Sequence, residues 1–179
     1  MDLSIVIPVK NEAGNIAPLV AEITAALDSS GADYEIVYVD DGSTDATAAE
    51  IAQLRAANAR LRLVRHAKSC GQSAAIRTGV KAAHGIWIAT IDGDGQNDPG
   101  DIPSLWQIAK AAPAKPPLLI AGHRTRRQAE SRADWFFRVR SAHSRPSAAV
   151  GNRSSAATTH GQRVRDHARR PARCGGIQQ

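Results

Sequence analysis

Acidic residues and glycines alternate in the segment Asp92-Gly93-Asp94-Gly95, directly after an apolar run. That run, residues 86–91, is short and rich in isoleucine, so it predicts a buried strand. Asp92 and Asp94 are two residues apart and would share one face if the strand continued through them. Two such carboxylates repel each other unless a cation lies between them, and Mg²⁺ and Mn²⁺ prefer oxygen ligands of this kind. Taken alone, the segment favours a solvated Asp-Gly turn, and a divalent metal site is the functional alternative that the rest of the chain strengthens.

The glycines of this segment favour a ligand that approaches the backbone. Gly93 and Gly95 carry no side chain that would keep a bulky group away. Divalent ions held by carboxylates often complete their coordination shell with water and a substrate phosphate. The functional interpretation is therefore a metal–diphosphate site at a strand end.

The chain around this segment alternates between strand and helix patterns. Apolar, β-rich runs predict strands at residues 3–9, 34–39, 61–65, 86–91 and 118–121. Apolar residues at helical spacing predict helices at about residues 15–28, 45–57, 71–84 and 101–111. Strands that alternate with helices through short linkers predict an α/β domain with a mostly parallel sheet.

Two local patterns refine these helices. One residue of the Ser-Thr-Asp segment at 43–45 is expected to cap the second helix, because short polar side chains accept the free N–H groups at a helix start. Gly71, Ala75 and Gly79 recur every four residues in the third helix. This stripe of small side chains predicts a helix that lies close to backbone or ligand.

Polar residues follow the predicted strands, where ligands bind in folds of this class. The strand ends read Asn11-Glu12, Asp40-Asp41, Asp92-Gly93-Asp94 and His123-Arg124. No Gly-x-Gly-x-x-Gly follows the first strand and no Gly-x-x-x-x-Gly-Lys-Ser/Thr occurs, which argues against dinucleotide oxidoreductases and P-loop NTPases. A phosphate site here would instead depend on a metal ion and side-chain cations.

Three segments at the predicted strand ends form a recognisable set: residues 5–12 (IVIPVKNE), 39–45 (VDDGSTD) and 92–96 (DGDGQ). Together they resemble the signature of family 2 glycosyltransferases with the GT-A fold. The similarity is greatest to the polyprenyl-phosphate branch, the dolichol-phosphate mannosyltransferase-like enzymes, and extends in order over about residues 3–127. The fold class that the resemblance implies is α/β, a GT-A (Rossmann-like) mostly parallel sheet flanked by helices, incomplete at the C-terminus.

The resemblance also implies roles for individual residues. Asp92, Asp94 and Gln96 would bind the metal cofactor, Mg²⁺ or Mn²⁺, and Asp92 and Asp94 would be the catalytic residues. Residues implied to bind the donor are Pro8, Val9, Glu12, Val39, Asp40, Asp41, Gly93 and Arg124. Lys10 stands where relatives often have tyrosine.

The expected function is metal-dependent, inverting transfer of a sugar from a nucleotide sugar, with GDP-mannose favoured, to a polyprenyl phosphate. A divalent ion on Asp92 and Asp94 would neutralise the diphosphate so that it can leave, and Arg124 would add positive charge. A phosphate monoester acceptor is largely dianionic at neutral pH, so it needs little help from a general base. The alternative is a nucleotide-sugar-binding remnant without turnover.

Composition bears on where the protein acts. No run approaches the roughly 20 apolar residues of a membrane span, and the N-terminus lacks a signal-peptide pattern. Two cysteines are too few for a disulfide framework. The scattered histidines, His66 among them, show no spacing for zinc. We expect a cytoplasmic protein with peripheral contact on the inner face of the cell membrane.

Charged residues are unevenly distributed along the chain. Residues 1–122 carry 10 Lys and Arg against 14 Asp and Glu, whereas residues 123–179 carry 13 against 3. Beyond about residue 141 large apolar residues are rare, so the segment cannot bury enough surface to order itself. The expected organisation is a nucleotide-sugar-binding domain at 1–127, a candidate amphipathic helix at 128–140 and a disordered Arg-rich tail at 141–179.

Three interpretations of the tail compete. It could contact anionic lipid, helped by an amphipathic segment at 135–140. A nucleic-acid arm is disfavoured because the aromatic residues stop at Phe137, and we expect no nucleic-acid partner. An out-of-frame or truncated translation is favoured, because all 13 basic residues after position 122 are arginine, as in a GC-rich gene read in the wrong frame.

Overall fold

Two fully buried strands form the centre of the sheet. Every residue of β1 (Leu3–Val9) and of β2 (Tyr34–Asp40) is buried. Their apolar residues are nearly continuous rather than alternating, as expected for strands that helices cover on both faces. The computed structural model describes residues 1–112, 119–122, 135–139 and 177–178.

The remaining elements follow in alternation along the chain. The helices are α1 (Ile16–Asp28), α2 (Thr47–Ala57), α3 (Gln72–Ala82) and α4 (Asp101–Ala111). The further strands are β3 (Leu61–His66), β4 (Trp87–Thr90), β5 (Leu119–Gly122), β6 (Trp135–Val139) and β7 (Ile177–Gln178). The four helices and first five strands lie close to the predicted positions.

The sheet is mostly parallel at its centre. Its strand order is β5-β6-β4-β1-β2-β3-β7. Strands β4, β1, β2 and β3 run parallel, while β6 pairs antiparallel with β4 and β5, and β7 pairs antiparallel with β3. The predicted α/β architecture with a mostly parallel sheet is confirmed.

Strand register decides which loops meet at the carboxyl ends. Val9 pairs with Asp40, so β1 and β2 end level with each other. Thr90 pairs with Val6, so β4 ends three residues earlier on β1. The chain after β4 therefore continues beside the last residues of β1. This offset brings the acidic segment after β4 next to the end of β1.

Helices cover both faces of the sheet. Buried residues of α1, α2 and α4, such as Ile16, Ile51 and Trp106, belong to the larger apolar core. Ala75 of α3 packs into a second core on the other face. A Cβ atom built on Gly79 would lie 2.3 Å from Val6 Cγ1 and 2.9 Å from Val39 Cγ2. The predicted close approach of α3 to the sheet is confirmed.

The capping position of the second helix lies one residue later than predicted. Ala46 occupies it, and its own side chain makes no capping hydrogen bond. Asp45, one of the three candidates, nevertheless accepts the N–H of Thr47, the first residue of α2, through its Oδ1 at 3.0 Å. Ser43 Oγ accepts the N–H of Asn11, and Asp45 Oδ2 accepts the N–H of Ala13. Ser43 therefore holds the preceding loop, and Asp45 holds both that loop and the helix start.

Two expectations about the C-terminal part also differ from the structure. Residues 135–139, inside the candidate amphipathic helix, form strand β6. Aromatic and β-branched residues favour strands, and here β6 pairs with β4. Within the expected disordered tail, Ile177–Gln178 form strand β7. No helix in the described ranges has both the length and the apolar character needed to span a bilayer.

Candidate functional site

A cavity of about 450 Å³ opens at the carboxyl ends of the parallel strands. Four segments form its wall: the end of β1 with its following loop, the residue after β2, the start of α3 with the residues before it, and the loop after β4. The lining residues are Pro8, Val9, Lys10, Glu12, Asp41, Ser69, Gly71, Gln72, Ala75, Asp92, Gly93, Asp94 and Gln96. The segments that carry the sequence resemblance therefore meet in one place.

The cavity gathers most of the residues predicted to form the site. All three predicted metal ligands line it, together with Pro8, Val9, Glu12, Asp41 and Gly93. Val39 and Asp40 are fully buried and do not line it. Val39 belongs to the core under α3. Arg124 lies outside the described residues.

Asp40 contacts other residues of the protein rather than the cavity. Its Oδ1 accepts the backbone N–H of Ser43 at 2.8 Å. Its Oδ2 lies 3.0 Å from Nε of Arg65 in an ion pair. These contacts fix the turn after β2, so Asp40 supports the position of its neighbour Asp41.

Asp92 and Asp94 reach the cavity from a turn. Strand β4 ends at Thr90, so the strand does not continue through the two aspartates as the simplest geometry required. Asp92 Oδ1 accepts a hydrogen bond from Gln72 Nε2 at 2.8 Å, and Asp94 Oδ1 accepts the N–H of Gln96 at 3.0 Å. Both carboxylates are partly buried and line one cavity, a donor set suited to Mg²⁺ or Mn²⁺.

Gly93 has a packing reason that the sequence did not reveal. It is buried, and a Cβ atom built on it would lie 2.3 Å from Val9 Cγ1 and 3.3 Å from Pro8 O. Only a residue without a side chain allows the turn to lie this close to β1. Gly93 therefore allows the turn that carries the two aspartates to lie directly against Pro8 and Val9.

Asp41 is the most heavily hydrogen-bonded carboxylate of the site. It accepts the backbone N–H groups of Cys70 and Gly71, each at 2.8 Å, and the Ser69 hydroxyl at 2.8 Å. His66 Nδ1 lies 2.7 Å from its Oδ1. Burial of the carboxylate raises its pKa, but these hydrogen bonds outweigh burial, and the pKa of Asp41 is lowered. Asp41 is therefore ionised near neutral pH and anchors the residues that precede α3.

Sequence reasoning missed His66. Its ring is buried, and its Nε2 lies 2.9 Å from Thr78 Oγ1 of α3, while its Nδ1 faces Asp41. Asp41, His66 and Cys70 present potential ligand atoms within 4.8 Å of one another. Hydrogen bonds from His66 and from the Cys70 backbone to Asp41 account for this proximity. A histidine that ends a strand carries no local signal of such a role.

The loop between β1 and α1 is held by side chains of the next βα connection. Four successive backbone N–H groups each find a side-chain acceptor: Asn11 to Ser43 Oγ at 2.9 Å, Glu12 to Thr47 Oγ1 at 2.9 Å, Ala13 to Asp45 Oδ2 at 3.2 Å and Gly14 to Glu50 Oε2 at 2.9 Å. Asn11 has a φ of 56°, which non-glycine residues seldom adopt. These bonds fix the wall that carries Lys10 and Glu12.

The charge of the cavity is mostly negative. Among its described lining residues, four carry carboxylates and one, Lys10, carries an ammonium group. An anionic ligand such as a diphosphate would be repelled from these walls unless cations joined it. Asp98 does not line this cavity; its Oδ1 accepts the N–H of Gly100 at 2.8 Å, as aspartate side chains often do in turns.

Curated proteins of known activity are similar to this chain. It is 43% identical over 106 residues to the dodecaprenyl-phosphate galacturonate synthase of Rhizobium johnstonii, covering 59% of this chain and 31% of that protein. It is 38% identical over 108 residues to the undecaprenyl-phosphate 4-deoxy-4-formamido-L-arabinose transferase of Aeromonas hydrophila subsp. hydrophila, covering 60% of this chain and 33% of that protein. The chain spans about a third of the length of these relatives.

Solved structures show weaker likeness. The mannosyltransferase PcManGT of Pyrobaculum calidifontis, in complex with GDP-Man and Mn²⁺, is 26% identical with a TM-score of 0.45, over 51% of this chain and 27% of that chain. Residues 1–349 of TarS from S. aureus are 23% identical with a TM-score of 0.47, over 62% of this chain and 32% of that chain.

A family model matches most of the chain. The model described as Glycosyl transferase family 2 covers residues 4–161. Its match continues past residue 127, where we placed the end of the resemblance. The suspected family is confirmed, and the α/β sheet agrees with the fold class that the resemblance implied. This chain belongs to glycosyl transferase family 2.

Proposed function

We propose that this chain provides the donor site of a metal-dependent, inverting glycosyltransferase that moves a sugar from a nucleotide sugar to a polyprenyl phosphate. One observation carries the proposal: the metal-type cluster Asp92, Asp94 and Gln96 lines the same cavity as Glu12 and Asp41. Family membership supports the reaction class. The two relatives named for polyprenyl-phosphate products or acceptors support the acceptor class.

The residues of the acidic turn fit a divalent cation. Asp92 and Asp94 offer carboxylate oxygens from the same cavity wall, and Gln96 offers an amide oxygen beside them. Mg²⁺ and Mn²⁺ favour such ligands. When bound, the ion would supply positive charge that stabilises the departing diphosphate.

The negative cavity makes donor binding depend on that cation. With four carboxylates and only Lys10 as a cation among its described lining residues, the cavity alone repels a diphosphate. Pro8 and Val9 provide an apolar wall for a nucleoside, and the Glu12 carboxylate can accept hydrogen bonds from it. Asp41 keeps residues 69–71 in place on the opposite wall. We therefore assign donor binding to Pro8, Val9 and Glu12, with Arg124 as an additional phosphate contact.

The acceptor requires no base from the protein. A phosphate monoester is already largely dianionic at neutral pH, so its oxygen can attack the anomeric carbon from the face opposite the leaving diphosphate, with inversion. A polyprenyl chain lies in a membrane, so the protein would work in peripheral contact with one, on the cytoplasmic face where nucleotide sugars are found. GDP-mannose is the donor that the resemblance favours, and the relatives named for galacturonate and for an arabinose derivative supply the competing sugars.

Calorimetric titration followed by a transfer assay tests the proposal. We expect GDP-mannose, or one of a panel of UDP-sugars, to bind with Mn²⁺ and to lose most of its affinity in EDTA. Transfer of labelled sugar to a polyprenyl phosphate should fall about 100-fold or more in Asp94→Asn, since substitutions around metal ligands already cost about 10–100-fold. The matched control is Asp101→Asn, which removes an exposed carboxylate outside the cavity.

The titration and the transfer assay together distinguish the proposed function from its alternatives. Undiminished transfer by Asp94→Asn would contradict the metal site. Metal-dependent binding without any transfer by the unaltered chain would identify a nucleotide-sugar-binding protein, which was the alternative from the sequence. Binding that is equal with Mn²⁺ and with EDTA would contradict the electrostatic basis of the proposal.

A further inference from the structure

Gln72 connects the two acidic sides of the cavity. It is the first residue of α3, and its side-chain amide donates to Asp92 Oδ1 at 2.8 Å. The residue before it, Gly71, donates its backbone N–H to Asp41 Oδ2 at 2.8 Å. One dipeptide at the start of α3 is thus hydrogen-bonded to the carboxylate after β2 and to the carboxylate after β4.

The backbone under Gln72 is held firmly. Asp41 also accepts the N–H of Cys70 and the hydroxyl of Ser69. Gly71 has a φ of 90°, in the left-handed region that favours glycine. Further along α3, Gly79 lies directly against Val6 and Val39 of the sheet. The side chain of Gln72 therefore extends from a fixed base, although the side chain itself is exposed.

The chemistry of the contact suits a metal ligand. Only the amide NH₂ group can face a carboxylate, because the amide oxygen would repel it. A lysine or arginine in this place would orient Asp92 equally well, but its charge would oppose a cation at the same carboxylate. A neutral donor holds the carboxylate in one orientation without placing a positive charge beside it. Partners that orient metal ligands in this way contribute strongly to metal affinity.

We propose that Gln72 is a positioning residue that orients Asp92 for a divalent cation. This inference rests on the proposed function, since it assigns Gln72 to the cation site of that same cavity. Gln72 acts through Asp92 and needs no contact with the transferred sugar.

The test measures cation binding apart from turnover. Mn²⁺ alone is titrated into the full chain, and the spectrum of free and bound Mn²⁺ is followed by electron paramagnetic resonance. Gln72→Met keeps the length of the side chain without its donor, and Gln72→Ala removes the side chain with a residue that favours helices. The matched control is Gln53→Met, at an exposed glutamine of α2.

We expect both Gln72 variants to bind Mn²⁺ about tenfold more weakly, at the lower end of the effect of such partners. Their thermal midpoints, and their affinity for GDP and UDP in EDTA, should equal those of the unaltered chain. Gln53→Met should leave all three quantities unchanged.

Three results would overturn the inference. Unchanged Mn²⁺ affinity in both variants would show that Asp92 needs no such partner, while the proposed function would stand. If the thermal midpoint of both variants fell together with their Mn²⁺ affinity, Gln72 would have a merely structural role. Failure of the unaltered chain to bind Mn²⁺ would overturn the proposed function and this inference together, and it is seen before any variant is made.

Discussion

His66 Nδ1 lies 2.7 Å from Asp41 Oδ1, and both side chains are almost completely buried. The other ring nitrogen of His66 faces the hydroxyl of Thr78 in α3. The pair therefore joins β3 and α3 to the carboxylate that also receives the N–H of Gly71. Because Asp41 holds the residues that precede α3, the cavity wall on that side depends on a single carboxylate.

Asp41→Asn should destabilise the protein and weaken donor binding. The amide offers one acceptor oxygen instead of two, so either His66 and Cys70, which donate to Oδ1, or Ser69 and Gly71, which donate to Oδ2, lose their partner inside the protein. Each buried donor left unpaired costs about 1–3 kcal/mol. Urea unfolding at pH 7 measures the first effect, and titration of nucleotide sugar with Mn²⁺ measures the second.

The control for this experiment is Asp101→Asn, at an exposed aspartate in the first turn of α4. It removes the same charge without removing an anchor. If Asp41→Asn matched this control in both measurements, the assignment of Asp41 as an anchor would be wrong.

The loop between β1 and α1 depends on acceptors from α2. Thr47 is fully buried, and its Oγ1 accepts the N–H of Glu12 at 2.9 Å. Thr47→Val keeps the shape of the side chain but removes this acceptor. We expect a loss of about 1–3 kcal/mol in the free energy of unfolding, because the Glu12 N–H loses its partner, together with weaker binding of nucleotide sugar.

Chemical denaturation and calorimetry check both effects. Ser104→Ala, which removes an exposed hydroxyl from α4, is the comparison and should change neither quantity. A Thr47→Val protein that is less stable but binds its donor normally would separate the loop geometry from the donor site, contrary to our expectation.

Sequence patterns predicted the sheet and the acidic turn because both depend on local features of the chain. Continuous apolar runs predict β1 and β2 wherever the rest of the chain lies, and Asp92 and Asp94 are neighbours in sequence. The contacts that hold these parts are long-range: Gln72 and Asp92 are 20 residues apart, and Glu12 and Thr47 are 35 apart. No periodicity encodes such pairs, since they depend on strand register and on how closely α3 packs.

Gly93 also makes a long-range contact that the sequence pattern did not predict. The sequence suggested open space for a ligand, whereas the structure places Gly93 against Val9. Substitution of Gly93 by alanine should therefore strain the turn itself. We expect a loss of about 1–3 kcal/mol in unfolding free energy, as for other overpacked sites, and a weaker affinity for Mn²⁺.

A double-mutant cycle identifies the contact responsible. Val9→Ala removes the Cγ1 atom that lies 2.3 Å from the added Cβ. The combined Gly93→Ala and Val9→Ala protein should be more stable than the sum of the two single effects predicts. Strict additivity in urea unfolding would mean that Gly93 is required for a reason other than its contact with Val9.

Glu35 offers a test of stability away from the cavity, because it lies near the amino end of β2. Its carboxylate accepts hydrogen bonds from the Ser4 hydroxyl and the His84 N–H, each at 2.6 Å, and pairs with Arg62 at 2.7 Å. Burial raises the pKa of Glu35, but these partners together lower it from 4.5. The ionised form is therefore the one that the folded protein stabilises.

Glu35→Gln should cost about 1–3 kcal/mol at pH 7, because a buried charge-assisted acceptor becomes neutral. A carboxylate with a lowered pKa contributes stability that is complete well above the unfolded-state pKa and is lost as the pH falls through the folded-state value. The difference in unfolding free energy between the unaltered chain and Glu35→Gln should accordingly shrink below about pH 4.5. Donor affinity at pH 7 should not change, since Glu35 does not line the cavity. A difference that stays constant from pH 7 to pH 3 would show that the lost hydrogen-bond geometry, rather than the charge of Glu35, stabilises this end of the sheet.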